Sequence, residues 1–188
     1  MADVTVTVTV ENMVASTRIA DELDLVELDK NISDTKYQPK VFPGLVLHIM
    51  QPKVAFLLFR TGKMVITGAK TKSDIQKAME KLLDMLRQTG VQVVDTPDIR
   101  VRNIVDSGDL QGRLDLPATA LALGLENVEY EPEIFPGLVY RGSSEEGVVM
   151  LLFSSGRVVC TGAREPERAS QAIIQLQKEL DEKGLLTA

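Results

Sequence analysis

The chain has 188 residues, of which 44% are hydrophobic and 26% charged, and its net charge is -6. This composition supports a packed core and excludes an intrinsically disordered chain, and no apolar run approaches the roughly 18 residues that cross a bilayer. A single cysteine excludes an internal disulfide framework. The N-terminal residues lack the basic and then apolar pattern of a secretory signal, so we expect none.

The net negative charge comes entirely from the second half of the chain. Residues 1–95 contain 12 Lys+Arg and 12 Asp+Glu, whereas residues 96–188 contain 9 and 15. Because non-specific nucleic-acid binding needs a basic footprint, this balance argues against it unless the positive charge lies on one face.

Strands are predicted at the start of each half. Val and Thr alternate from Val4 to Val10, which is typical of a strand with two different faces, and the strand continues to Val14. The matching segment is Ile99 to Val105, in which Asn103 aligns with Asn12. Asn is unfavourable in strands, so the pair indicates either a strand end or bulge, or two hydrogen-bonding groups on one face.

Short helices follow each first strand. Asp24 precedes an apolar segment from Leu25 and Asp115 precedes one from Leu116, and Asp is a favoured N-cap residue. The sequence Leu-Asp-Leu occurs at both places, so this element is duplicated as well.

The central part of each half is an internal repeat. YQPKVFPGLV at 37–46 matches YEPEIFPGLV at 130–139 in seven of ten positions, and LLFRTGKMVITGA at 57–69 matches LLFSSGRVVCTGA at 151–163 in eight of thirteen. Such a period predicts a duplicated domain. We place the first repeat at residues 1–95 and the second at 96–188.

Each repeat then contains a hairpin and a long helix. Turns at Thr61-Gly62 and Ser155-Gly156 join predicted strands, and period-two alternation places Cys160 on the helix-covered face as a small core residue. Apolar stripes at helical spacing run over 75–86 and 169–180, followed by Gly90 and Gly184. The predicted fold is α+β, with both repeats forming one antiparallel sheet that has helices on one face.

The uncovered face is predicted to be apolar with two amides, and large exposed apolar surfaces mark binding sites. Its chemistry fits the minor groove of A·T-rich DNA, where only adenine N3 and thymine O2 acceptors are displayed and no guanine amino group obstructs apolar packing. The residues assigned to it are Asn12, Val14, Leu57, Phe59, Val65, Thr67, Asn103, Val105, Leu151, Phe153, Val159 and Thr161.

These residues and motifs resemble the TATA-box-binding protein family in its archaeal form. The resemblance covers about Val4 to Leu185 and rests on duplicated E/R-N-M/I-V, F-P-G-L-V and G-K/R-x-V-x-T-G-A motifs. It implies a saddle-shaped sheet with helices on the convex face, and a general transcription factor that binds and bends TATA-box DNA through the minor groove. Bending is a property of the family and is carried over with the resemblance.

The resemblance also implies a role for each residue. Asn12 and Asn103 would hydrogen-bond the central base pairs, and the Val, Leu and Thr side chains would pack on the groove floor. Two pairs of phenylalanines would intercalate, Phe42 with Phe59 and Phe135 with Phe153. The cations expected at phosphates are Lys53, Lys63, Arg141 and Arg157.

Partners follow from the resemblance too. Transcription factor B would dock on Glu131, Glu133 and Ile134 of the second repeat and bring RNA polymerase, and the apolar face offers a homodimer surface to the DNA-free chain. The resemblance implies an archaeal cytoplasmic protein associated with the nucleoid, without a cofactor or metal.

One segment departs from the family. Residues 142–147, GSSEEG, replace the basic hairpin tip that the first repeat has at 51–53, and acidic side chains there would weaken DNA binding. This motivates an alternative, a divergent paralogue that acts mainly as a protein-interaction regulator with weak or partner-dependent DNA binding. An enzyme is not expected, because His48 is the sole histidine and the sequence has neither a metal-ligand spacing nor a nucleophile with a base.

Overall fold

The structure, a computed structural model, describes residues 6–142 and 147–187. Contacts between Cα atoms divide the chain into two compact units. The first unit is Asn12–Arg102. The second consists of the residues from Asn103 onward together with the described residues before Asn12.

The first unit is a five-stranded antiparallel sheet with two helices. Its strands lie in the order β2-β3-β4-β5-β1. The elements in chain order are β1 (Val8–Arg18), α1 (Leu25–Asn31), β2 (Thr35–Tyr37), β3 (Leu45–Met50), β4 (Lys53–Leu58), β5 (Lys63–Ala69) and α2 (Lys72–Gln88).

The second unit repeats this arrangement, with strands in the order β6-β11-β10-β9-β8. Its elements are β6 (Arg100–Asp109), β7 (Arg113–Leu114), α3 (Leu116–Leu123), a 3₁₀ helix (Leu125–Asn127), β8 (Val128–Glu129), β9 (Leu138–Tyr140), β10 (Val149–Leu152), β11 (Arg157–Ala163), α4 (Pro166–Glu182) and β12 (Leu186–Thr187). The short strands β7 and β12 pair with each other, which the sequence did not predict.

Local sequence signals account for the helix ends. The side chain of Asp24 accepts hydrogen bonds from the backbone N–H groups of Val26 and Glu27, and Asp115 accepts one from Ala118. Both predicted N-caps are therefore confirmed. Thr71 and Asp74 form a reciprocal capping box at the start of α2, whereas the N-cap residue of α4, Glu165, makes no side-chain cap.

Alternation along the strands separates two faces in each unit. On β5, Met64 and Ile66 are fully buried while Val65 and Thr67 are half-buried, as the period-two pattern predicted. The buried face packs under the apolar stripe of α2, from Ile75 to Leu86. The second unit has the equivalent core beneath α4.

The predicted elements of both halves are confirmed with shifted ends. β1 runs four residues beyond Val14, and β6 extends to Asp109. The hairpin strands, the turns before β3 and β9, and both long helices lie where the sequence placed them. The boundary between repeats at residue 95 stays a prediction. Among the described residues no helix is both long and apolar enough to cross a membrane.

Candidate nucleic-acid interface

The face of each sheet that the helices leave uncovered carries the predicted set of small and apolar side chains. All of them are half-buried rather than core residues. In the first unit these are Asn12, Val14, Leu57, Val65 and Thr67. In the second unit they are Asn103, Val105, Leu151, Val159 and Thr161.

Each asparagine is fixed by the same two partners. In the first unit the N–H of Gly68 donates to Asn12 Oδ1 at 2.7 Å, and Asn12 Nδ2 donates to Thr67 Oγ1 at 3.2 Å. In the second unit the N–H of Gly162 donates to Asn103 Oδ1 at 2.7 Å, and Nδ2 donates to Thr161 Oγ1 at 3.1 Å. The two halves therefore present matching Asn–Thr–Gly clusters.

These bonds determine which end of each amide is available. A backbone N–H can only donate, so the atom that meets Gly68 must be the amide oxygen of Asn12. The NH₂ group of Asn12 has two protons, and within the described residues Thr67 accepts one of them. The other proton remains for a ligand, so the amide acts as a hydrogen-bond donor.

The asparagines also have a structural role. The pairing of β1 with β5 is irregular between Met13 and Ala15, and the pairing of β11 with β6 is irregular between Thr161 and Ala163. Gly68 and Gly162 adopt positive φ values of 94° and 98° there. The extra residue of each bulge is on β5 or β11, and the amide oxygens accept from its glycine N–H, so Asn12 and Asn103 lie opposite the bulges and not in them.

The four predicted wedge phenylalanines form two edge-to-face pairs. The ring centroids of Phe42 and Phe59 are 5.9 Å apart at 67°, and those of Phe135 and Phe153 are 5.9 Å apart at 71°. Phe42 is 36% exposed. Each pair holds one ring from the FPG segment against one from the end of a hairpin strand.

The glycine of each FPG segment leaves room for its ring pair. A Cβ atom at Gly44 would lie 2.6 Å from Phe42 Cε1 and 3.1 Å from Phe59 Cε1. At Gly137 the distances to the rings of Phe135 and Phe153 would be 2.7 and 3.0 Å. In each pair the two rings therefore contact the glycine backbone where a larger residue would have its Cβ atom. This close contact explains why the motif requires glycine.

The predicted phosphate-binding cations are all exposed. Lys53, Lys63 and Arg157 are at the surface of their strands. Arg141 Nε donates to Glu129 Oε1 at 3.2 Å, an ion pair whose side chains are about half exposed or more. A pair in that setting contributes little to stability, so Arg141 can exchange its carboxylate for another anion.

The predicted partner-binding residues form an exposed acidic and apolar segment. Glu131 and Glu133 are exposed, and Ile134 is 80% exposed. The acidic residues of the segment that departs from the family, Glu145 and Glu146, lie outside the described residues.

Cys160 and Asp106 are two titratable residues of the second unit whose side chains are buried in the core. Cys160 is fully buried opposite Asp106 on the neighbouring strand. Burial and the carboxyl group of Asp106 raise the pKa of the Cys160 thiol to about 12. The thiol is thus protonated and inert at neutral pH, which confirms its place as a core residue.

The structure adds a group of cations that the sequence analysis did not assign to the site. A cleft of about 810 Å³ in the first unit is bordered by Phe59, Lys63 and Val65, all predicted interface residues. Its rim also includes Arg18, Arg60, Arg100 and Arg102. Extending the period-two pattern of β1 beyond Val14 would have placed Ser16 and Arg18 on this face.

Comparisons with known proteins show which family this chain belongs to. The family model for transcription factor TFIID, or TATA-binding protein, matches residues 7–89 and 98–183. The TATA-box-binding protein of Picrophilus torridus is 49% identical over 95% of this chain and 97% of that protein. The TATA-box-binding protein of Archaeoglobus fulgidus is 48% identical over 94% and 96%.

Another relative and a solved structure extend the likeness. TATA-box-binding protein E of Halobacterium salinarum is 48% identical over 99% of this chain and 100% of that protein. The solved structure of Methanococcus jannaschii TBP matches with a TM-score of 0.82 and 40% identity, covering 93% of this chain and 98% of that one. The α+β fold of the family is thus confirmed, and the matched family is one of transcription factors rather than enzymes. The chain belongs to the TATA-binding protein family.

Proposed function

We propose that this chain is a general transcription initiation factor that binds TATA-box promoter DNA through the minor groove, using the uncovered sheet face of each repeat. The observation that supports it most is the duplicated Asn–Thr–Gly cluster. Each cluster lies on a face of Val, Leu and Thr side chains, and its amide NH₂ has one proton beyond the bond to Thr Oγ1 to donate. Adenine N3 and thymine O2 are acceptors, so amide donors complement them.

The phenylalanine pairs are the proposed wedges. Each pair rests on the backbone of an FPG glycine, and Phe42 is already partly exposed without DNA. Apolar side chains that enter a base step unstack it and bend the duplex, as is known for this family. We propose that Phe42 and Phe59 open one step, and that Phe135 and Phe153 open another.

The test compares three duplexes by fluorescence anisotropy. One contains the TATA box, one has G·C pairs in its place, and one has inosine·C pairs, which lack the guanine amino group but differ from A·T in the major groove. We expect tight binding to the TATA and inosine duplexes and weak binding to the G·C duplex. Equal affinity for the G·C and inosine duplexes would contradict recognition through the minor groove.

Variants then separate wedges from groove contacts. Phe42→Ala with Phe59→Ala should reduce bending, measured as energy transfer between dyes at the two duplex ends, and so should Phe135→Ala with Phe153→Ala. Asn12→Ala and Asn103→Ala should lower TATA affinity by about 1–3 kcal/mol each, the range for a lost specific contact. Circular dichroism checks that the variants fold, since Asn also binds the bulge.

Transcription factor B is the proposed protein partner, and RNA polymerase would follow through the initiation complex. A difference in charge between the two repeats supports this choice of docking site. Glu131 and Glu133 are exposed beside Ile134 in the second repeat, whereas Gln38 and Lys40 occupy the equivalent positions in the first. Complementary charge favours one docking site over its pseudo-symmetric equivalent.

Charge reversal tests this choice of partner site. Glu131→Lys with Glu133→Lys should abolish recruitment of factor B to the DNA complex and leave TATA binding intact. The matched control is Gln38→Lys in the first repeat, which should recruit normally. Unchanged recruitment by the double variant would contradict the assignment.

Two remaining expectations have less support. Homodimer formation by the DNA-free chain through its apolar faces is proposed from their composition, and sedimentation with and without the TATA duplex tests it. The alternative of a regulator with weak DNA binding depended on residues 143–146, which lie outside the described residues, and no observation favours it.

A further inference from the structure

The cleft beside Phe59 brings five cations together in the first unit. Its apolar floor includes Pro43, Met64 and Val65. Asp98 is the one carboxylate among its described lining residues. The cations that border it are Arg18, Arg60, Lys63, Arg100 and Arg102.

Two of these cations lie directly opposite each other. Arg18 of β1 pairs in register with Lys63 of β5. Like charges at facing positions of an antiparallel pair are unfavourable. The Arg18 side chain is nevertheless held in place, donating to the carbonyl oxygens of Ala20 at 3.1 Å and Asp21 at 3.2 Å. An anion between the two cations would remove the repulsion.

The carboxylates near the cluster do not neutralise it. Three pairs are present: Arg18 with Asp21 at 3.8 Å, Arg60 with Glu22 at 3.7 Å and Arg100 with Asp98 at 2.8 Å. Every side chain in them is more than half exposed, so these pairs are weak and exchangeable. Five cations face three carboxylates, and a phosphate is a stronger acceptor for arginine.

The second unit lacks this cluster at the corresponding positions. The residue equivalent to Arg18 is Asp109, which lies in register opposite Arg157. The residue equivalent to Arg102 is Glu11, which accepts from Ser107 at 2.6 Å. Thr9 and Ser154 correspond to Arg100 and Arg60, and Arg113 corresponds to Glu22. There, two cations meet two carboxylates.

We propose that the cleft is a binding site for DNA backbone phosphates beside the Phe42–Phe59 pair, so that the first unit, Asn12–Arg102, is the electrostatic anchor of the complex. The proposal rests on the proposed function and adds which half holds the backbone and through which side chains. Each phosphate that a cation neutralises releases counterions, and this steepens the fall of affinity with salt. The anchor therefore has a measurable signature.

The experiment measures the affinity for the TATA duplex at five salt concentrations, for the full chain and its variants. Arg18→Gln and Arg60→Gln should each reduce the slope of log K against log salt by about 0.9, and lower the affinity roughly three- to tenfold near 0.1 M salt. The preference for TATA over G·C should persist. Arg60 is in an exposed hairpin turn, so its variant tests the anchor if Arg18→Gln fails to fold.

Pseudo-symmetry supplies the controls. Lys63→Gln should reduce the slope more than Arg157→Gln, its equivalent in the second repeat. Asp109→Asn keeps the acceptor for the Gln111 N–H and should raise the affinity. Lys77→Gln, on the exposed side of α2, should change neither quantity.

The outcomes separate this inference from the function it rests on. A·T-selective binding with unchanged slopes for Arg18→Gln and Arg60→Gln would overturn the anchor and leave the function standing. Equal losses for Lys63→Gln and Arg157→Gln would also overturn it. A wild-type chain without A·T selectivity would overturn both.

Discussion

At the scale of single residues, Asp106 is an acid buried in the core. It is fully buried, and within the described residues neither carboxyl oxygen has a hydrogen-bond partner. Burial and the negative charge of Glu11 raise its pKa from 3.8 to about 6. The equivalent residue of the first repeat is Ala15, which is also fully buried. Asp106 therefore introduces a pH-dependent cost that the first repeat does not have.

The first prediction is that Asp106→Ala stabilises the chain at neutral pH. Between pH 4 and 6 the folded state binds more protons at this site than the unfolded state does, so wild-type stability falls as pH rises through that window. Raising the pKa of Asp106 from 3.8 to about 6 corresponds to a loss of roughly 3 kcal/mol of stability at pH 7. Denaturant unfolding at pH 4 and pH 7 should show a gain at pH 7 alone.

The matched control for that prediction is in the other half. Ala15→Asp places a carboxyl group at the equivalent buried position and should destabilise the chain at pH 7 more than at pH 4. A gain from Asp106→Ala that is equal at both pH values would indicate relieved packing and contradict the electrostatic explanation.

At the scale of elements, the two long helices begin differently although they are repeats. Thr71 and Asp74 form a capping box on α2, whereas Glu165, equivalent to Thr71, makes no side-chain cap on α4. A side-chain oxygen at the N-cap satisfies a backbone N–H that has no partner within the helix.

The second prediction exchanges these caps. Thr71→Ala should lower the free energy of unfolding by about 1 kcal/mol, and Glu165→Thr should raise it by a similar or smaller amount. Thermal denaturation monitored by circular dichroism measures both. A loss from Glu165→Thr would contradict the interpretation that α4 is uncapped.

The elements also show what the sequence could and could not predict. The repeats, caps and alternating faces follow from local patterns, so the strands and helices near Val65, Asp24 and Ile75 were predictable. The pairing of β7 with β12 was not, because it joins two-residue segments that have no periodicity and are distant in sequence. The burial of Asp106 was not predicted, because acidic residues are mostly exposed in folded proteins.

The site shows the same division. The asparagines and phenylalanines could be found because they are duplicated, and repetition distinguishes them from isolated core residues. The cluster around Arg18 and Arg102 could not, because it exists in one unit only and its members come from separate strands. This asymmetry becomes visible only when the register of the strands places the side chains together.

At the scale of the whole molecule, a net charge of -6 opposes the approach of DNA. Part of that charge lies on α4, where the last turn carries Asp181 and Glu182 and no basic residue. Both side chains are exposed. They belong to α4, which packs on one face of the sheet of the second unit, while the proposed interface is on the other face. In the proposed complex they would repel DNA at long range without contacting it, and salt screens such repulsion beyond about 10 Å at 0.1 M.

The third prediction follows from that repulsion. Asp181→Asn with Glu182→Gln should raise the association rate for the TATA duplex a few-fold in low salt, since long-range charge acts mainly on the encounter. The dissociation rate should be unchanged, because no contact in the complex is altered. Stopped-flow fluorescence at about 0.05 and 0.5 M salt measures this, and the two proteins should converge at high salt. An acceleration that persists at 0.5 M would mean that α4 lies within contact range of the DNA, and the opposite-face geometry of the interface would be wrong.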